Sequence, residues 1–463
     1  MSSILEVPED ILLELAKDLN VADLISLLST CRVIRKIELH KSLWLDSLVR
    51  IREVERQPHP LSNTQNLTTL SLKRLQHTAQ QVNRLMKNWR SDNPRPTRIA
   101  QLSVEPNHGF FCLTGTPFIV THADAGGSMS CWDILDGKRV THLEIPGLFV
   151  RMGVPCMEED GGALICAAIG IDLHVERLVA ICIDYRDGAR VSISHVVSPV
   201  VNERCRGSFF ITPQVAGFFG PGYVITWSMN PNANVVKQPH LVRHILGPSY
   251  FPVGQSIYMF SRGSIGANAS VQYLSSFPHV GNLDATPKSM TTTVIPTRYS
   301  FASNQRELRN MFSGAMAWHE SHVCSPRHGV FAVTSRSFTW EGSRISVIHF
   351  WQGEIATSDT GTVLRPGQSY HHEQRDDIKL WAVGHAGTYV LLLVDVGSSS
   401  DGAAYLRLLH FSSTQIPPIT FRKVDIGDAT TRLECVSWMA LNDALGIISL
   451  LDAEGNMSII SYA

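Results

Sequence analysis

An α + β multidomain chain is what the sequence predicts: a short helical arm and a helical linker, followed by a large all-β body. Three observations carry this reading. All 33 glycines lie at or beyond Gly109, so a glycine-free, helix-favouring segment precedes a glycine-rich one. Apolar residues recur every three or four positions before that point, and in short runs separated by Gly, Asp, Asn and Pro after it. At 463 residues the chain also exceeds the roughly 250–300 at which a single hydrophobic core stops growing. The expected boundaries are an arm over 1–52, a linker over 53–96 and a body over 97–463.

Hydrophobic content of 44% with 17% charged residues argues for buried globular structure rather than a disordered chain. Forty Lys and Arg against 41 Asp and Glu leave no net field to attract nucleic acid or anionic lipid, although a local patch is compatible with that balance. The amino terminus has no basic n-region and turns acidic at Glu6, unlike a secretory signal. Apolar runs such as Ala163 to Ile169 fall short of the roughly 18 residues that span a bilayer. The expectation is a cytoplasmic or nuclear protein, or one in both, with no nucleic-acid or membrane partner. Nine cysteines, with no C-x-x-C pair, read as buried free thiols.

In the arm, Pro8 suits the first turn of a helix, and Glu9 and Asp10 complement the positive end of its dipole. Ile11, Leu12, Leu15 and Leu19 follow at helical spacing. A second segment after Asn20 carries Leu24, Leu27 and Leu28; a third carries Cys31, Ile34 and Ile37. The fourth begins near Lys41 with Leu43, Trp44, Leu48 and Ile51. Four helices this short cannot bury all their apolar faces against one another, so a surplus face seeks a partner.

Laid along Val7 to Leu45, the Leu-Pro-like pair, acidic residues, aliphatic cluster, Asp23-Leu24, Cys31-Arg32 and Leu43-Trp44 resemble an F-box. Val7 stands where that pattern usually has Leu, and Ile34 where it often has Trp; both remain apolar. The resemblance implies docking to the adaptor subunit of an SCF-type cullin-RING E3 ubiquitin ligase, and through it to the cullin and RING subunits. It also implies that Pro8, Ile11, Leu12, Leu15, Leu24, Leu27, Leu43 and Trp44 face or support that interface. The alternative is an ordinary helical subdomain packed on its own protein.

From Ser62 onward a longer helix is expected, with Leu72, Leu75, Ala79, Val82, Met86 and Trp89 along one seam. The seam is too short for an independent coiled coil, so it should pack on the neighbouring domain and act as a stiff spacer. Ser91 to Pro96, with two prolines, stops it.

The body opens with a clear unit. Phe118 to His122 leads through Ala125-Gly126-Gly127 to Ser130-Cys131-Trp132-Asp133-Ile134, and Asp136-Gly137 turns the chain into Arg139 to Ile145. This order resembles the end of a WD repeat. Weaker echoes follow from Val179 before an Asp187-Gly188 turn to Met457–Tyr462. They suit a β-propeller of seven blades, with six blades or a pair of β-sandwiches as alternatives. The last unit, from Leu433, supplies three strands, and Arg98 to Val104 is an isolated strand-like run. Joining chain ends removes an unpaired sheet edge, so 98–104 should complete the final blade. Removing 1–105 should then open the ring, whereas removing 1–95 should leave it intact.

No spacing marks a catalytic or metal site. His319-Glu320-Ser321-His322 and His371-His372-Glu373 lack the H-E-x-x-H interval and read as loop histidines; no nucleophile elbow or phosphate loop occurs. The sequence therefore predicts a non-enzymatic substrate receptor without cofactor or metal. A non-ligase interaction scaffold is the rival, and a propeller hydrolase the third reading. The protein substrate is unknown; 278–296 and 357–377 are the candidate recognition loops.

Overall fold

The computed structural model describes residues 7–463 except 56, 62–65, 105–107, 114, 124–126, 154, 158–160, 172–173, 187–189, 205–208, 221–222, 230–231, 233, 240–248, 254–255, 266–268, 278–290, 296–316, 319–321, 325–329, 341–342, 359–360, 375–376, 386–387, 396–403 and 412–418; from 249 to 377 the description is of backbone. The Asp187-Gly188 turn, most of the 278–296 segment and His319 to Ser321 lie outside the described residues.

Five α-helices lead the chain: α1 (Glu9–Lys17), α2 (Val21–Thr30), α3 (Arg32–Arg35), α4 (Lys41–Val49) and α5 (Leu72–Trp89). Pro8 does not enter the first turn; it stands just before α1 in extended backbone, and its carbonyl accepts from the Leu12 N–H at 3.0 Å. The Asn20 side chain caps α2 by accepting the Asp23 N–H at 2.9 Å. Cys31 is extended and separates α2 from α3, with its sulfur accepting from Ile34 N. The long helix starts ten residues later than its periodicity suggested, at Leu72, because Ser71 accepts from Arg74 N and fixes the terminus there.

The body is a ring of seven antiparallel sheets, a seven-bladed propeller. Blade one is His108–Cys112, Phe118–Ala123, Ser128–Asp133 and Lys138–Glu144. Blade two is built on Phe149–Met152, Gly162–Ile171, His174–Asp184 and Ser192–Val197. Blade three uses Phe209–Ile211, Val215–Gly220, Tyr223–Ser228 and Val235–Pro239. Blade four spans Ser249 to Ile295, and blade five Ala317 to Gln374. Blade six is Asp377–Val383, Tyr389–Asp395, Tyr405–Phe411 and Ile419–Val424. Blade seven takes Val436–Asn442, Ile447–Asp452 and Asn456–Ser461 from the C-terminus and Arg98–Ser103 from the other end of the chain.

Consecutive sheets touch in order, and the first strand of blade one returns against the first strand of blade seven, closing the circle. Closure runs through strand Arg98–Ser103, antiparallel to Asn456–Ser461, with Arg98 opposite Ser461 and Leu102 opposite Met457. Thr97 N donates to Ser461 O at 2.7 Å and Val104 N to Gly455 O at 2.9 Å, extending the join at both ends.

Two local expectations are corrected. Residues 361–374 form a long strand pairing with Ser343–Ser358, so most of the 357–377 segment is sheet and His371 to Glu373 lie in a strand rather than a loop. Only Val363, Leu364 and Tyr370 are large apolar residues in it, with no alternation between them, and Pro366-Gly367 interrupts the run, which had concealed it. Not every thiol is buried either: Cys131 and Cys166 are, while Cys435 is exposed; burial pushes the Cys131 thiol up to about 12.

Candidate protein-docking surfaces

Helix α1 divides its apolar residues between two faces. Leu12 and Ala16 are buried at 5% and 1% exposure, whereas Ile11 and Leu15, one turn apart on the neighbouring face, are 48% and 59% exposed. Pro8 is exposed beside them, and the adjoining Leu39 is, among the described residues, the most exposed large apolar residue of the arm. A contact between the His40 ring and the Glu9 carboxylate brings the Leu39 segment to the start of α1.

The other expected docking residues have a different position. Leu24, Leu43 and Trp44 are wholly buried, and Leu27 is partly so. Trp44 Nε1 donates to the Glu38 carbonyl at 2.9 Å, and Gln76 Nε2 of α5 donates to the same oxygen at 3.0 Å, tying α4, the preceding turn and α5 together. Ile34, at the position where the motif often carries Trp, is buried in this core. These residues hold α1 in place; Pro8, Ile11 and Leu15 present the surface.

The arm is continuous with the propeller. One buried cluster runs from Ala16, Leu24 and Trp44 through Leu75 and Leu85 into Leu391 of blade six and Ile448 of blade seven. Trp89 lies on Tyr389 with ring centroids 4.7 Å apart, and Tyr389 stacks on His410 at 4.7 Å. Asn88 Nδ2 donates to the Tyr462 carbonyl at 2.8 Å, and Arg422 Nε to the Arg90 carbonyl at 3.1 Å. Burial, reinforced by the Arg90 and Arg422 charges, lowers the His410 pKa to about 4.

These contacts fall on one side of the ring. Tyr389 opens the second strand of blade six, Leu85 meets the turn at Gly446 between the first two strands of blade seven, and Pro60 meets the equivalent turn of blade one at Gly115. In a four-stranded meander, first-to-second turns occupy one face, while second-to-third turns and the crossovers to the next blade occupy the other. The arm thus sits on the first face at blades six, seven and one, and the second face is left open apart from the crossover after blade six, where Asp425 N donates to Pro94 O at 3.1 Å.

Four large apolar residues are exposed toward the open face: Leu148, Ile171, Val200 and Trp438. Leu148 O accepts from Gly170 N at 3.1 Å, which sets Leu148 beside Ile171. Val201 N donates to Glu176 O at 2.7 Å, holding the Val200 crossover against the same blade. Trp438, near the start of the inner strand of blade seven, meets the His122 ring edge-on at 6.3 Å. Sequence reading missed these four, since an isolated apolar residue in a crossover or near a strand end carries no periodic signal. In blade one the Trp132-Asp133 pair is structural: Trp132 Nε1 donates to Thr121 Oγ1 at 3.1 Å, and Asp133 Oδ1 accepts from Leu135 N at 2.8 Å. Among the described residues no three His, Cys, Asp or Glu side chains converge as a metal site, and no helix is long and apolar enough to cross a membrane.

No protein-family model matches the chain, and no curated protein matches it. Among solved structures it is similar to the Myceliophteria thermophila Cps50 (Swd1) beta-propeller domain, at a TM-score of 0.44 and 10% identity, covering 79% of this chain and 99% of that one. Drosophila Semaphorin 1a extracellular domains 1–2 give 0.42 and 10%, covering 80% and 89%. The WD40 domain of SCAP from fission yeast gives 0.32 and 9%, covering 79% and 98%. At these scores the likeness adds nothing to the closed order of seven sheets, which by itself makes the body a β-propeller behind a helical arm.

Proposed function

We propose that the chain is a non-catalytic substrate receptor of an SCF-type ubiquitin ligase, with the arm binding the adaptor and the propeller holding a protein substrate. The observation that supports this most is the division of α1. At positions matching the F-box pattern, Pro8, Ile11 and Leu15 are left uncovered while Leu12, Leu24, Leu43 and Trp44 form the core beneath them. Exposed aliphatic side chains on a rigidly backed helix suit insertion into a partner's groove. The substrate would meet the open face near Leu148, Ile171, Val200 and Trp438, away from the arm. Such a bridge raises the local concentration of substrate at the loaded ubiquitin-conjugating enzyme and needs no chemistry of its own.

The continuous core between arm and propeller favours the second reading, an interaction scaffold that recruits no ligase. The two are compatible in geometry, because α5 makes the internal contacts and the outer face of α1 stays free. Affinity purification from cells with the proteasome inhibited separates them. Recovery of adaptor and cullin supports the ligase reading; recovery of other partners without either supports the scaffold.

A further inference from the structure

We infer that the solvent face of α5 is a docking surface for an acidic segment of a partner protein. The chain is nearly neutral overall, yet its charge is sharply divided: residues 1–31 hold six Asp and Glu against one Lys, and residues 32–98 hold fourteen Lys and Arg against five Asp and Glu. On α5 the division becomes geometric. Lys73, His77, Arg84 and Lys87 are all exposed, and at 100° per residue they fall with Gln80 inside about 80° of arc, over about 21 Å of helix. The helix has no acidic residue, and among the described residues none of Lys73, Arg84 and Lys87 pairs with a carboxylate. Arg90, just past the helix end, lies outside this arc, and Arg422 of blade six bonds to its carbonyl.

A solvated basic face needs no partner, but this one is built in a particular way. The opposite side of α5 is buried from Leu75 to Trp89 against the arm and two blades, so the charges stand on a fixed support rather than a fraying helix. Lys73 with His77, and Arg84 with Lys87, stand about 5–6 Å apart as two pairs separated by Gln80, a spacing that matches neighbouring carboxylates of an acidic peptide, either extended or helical. The embedding argues against nucleic acid, because a helix enters a major groove only where its flanks stand clear. No aromatic side chain lies in the exposed row to stack on bases. No apolar side chain lies in the row to enter a lipid surface. This surface is distinct from the α1 face and does not depend on the ligase reading.

The test is fluorescence anisotropy of the full chain with a labelled (Glu-Asp-Ser)4 peptide, at low and physiological salt, beside single-stranded RNA, duplex DNA and phosphatidylserine-containing vesicles. The expected result is salt-sensitive peptide binding that weakens at least tenfold in K73E/R84E/K87E, with thermal unfolding unchanged and the other probes bound more weakly. If charge reversal impairs folding, the neutral set K73Q/R84Q/K87Q should still weaken peptide binding severalfold. Equal peptide affinity in wild type and variant would overturn the inference. So would tighter binding of RNA, DNA or vesicles through the same residues, which would give the surface to that class. Adaptor affinity should not change in the variant; its loss would assign the stripe to the adaptor interface and overturn a separate partner.

Discussion

Leu102 lies directly opposite Met457, one near the amino-terminal end of the body and the other six residues from the carboxyl end of the chain. Both are buried in the cluster that joins blade seven to blade one, with Phe110, Ile119 and Leu451. The ring is thus fastened by a single outer strand. Leu102→Asp places a charge in that cluster and should cost about 3 kcal/mol or more. Thermal unfolding would show a markedly lowered midpoint, while an unchanged midpoint would deny the strand its closing role.

The truncation expectation needs amendment for the same reason. Removing 1–95 spares the closing strand but strips α5 from Tyr389, Tyr462 and Gly446, exposing apolar surface on blades six and seven. Trp89→Ala isolates that effect. Truncating a fully buried Trp typically costs about 3–5 kcal/mol, and urea unfolding should register a loss of that order. A change below about 1 kcal/mol would mean that the arm is only loosely seated.

Acid should loosen this junction. His410 has a pKa near 4 in the folded chain and an ordinary value near 6.5 when unfolded, so between those pH values the unfolded state binds the extra proton. The neutral ring therefore contributes its full stability above about pH 6.5. That contribution is lost as the pH falls toward 4, by at most about 3 kcal/mol. Urea unfolding at pH 7 and pH 5 should differ less in His410→Phe than in the wild type. An equal pH dependence of the two would remove His410 as the cause.

Much of the architecture is legible in the residues. The glycine boundary marks where helices give way to strands, and the missing fourth strand of the last blade points to Arg98–Ser103 because an open sheet edge is costly. The start of α5 was not legible, since apolar spacing fixes which face a helix buries, while a local cap at Ser71 fixes where it begins. The strand at 361–374 was hidden because its Pro, Gly and paired histidines resemble a loop. At the arm, sequence grouped Ile11 with Leu12 and Leu24 with Leu15. Only packing against α4 and α5 shows which of each pair is core and which is surface.

The division of α1 gives the most direct test of the receptor account: a titration of the full chain with purified SCF adaptor, comparing wild type with Ile11→Asp/Leu15→Asp. Both side chains are exposed, so the variant should unfold at the wild-type midpoint. Interface anchors of this kind cost about 2 kcal/mol each when lost, so its adaptor affinity should fall well over tenfold. Undiminished binding by the folded variant, or no binding by the wild type, would contradict the account.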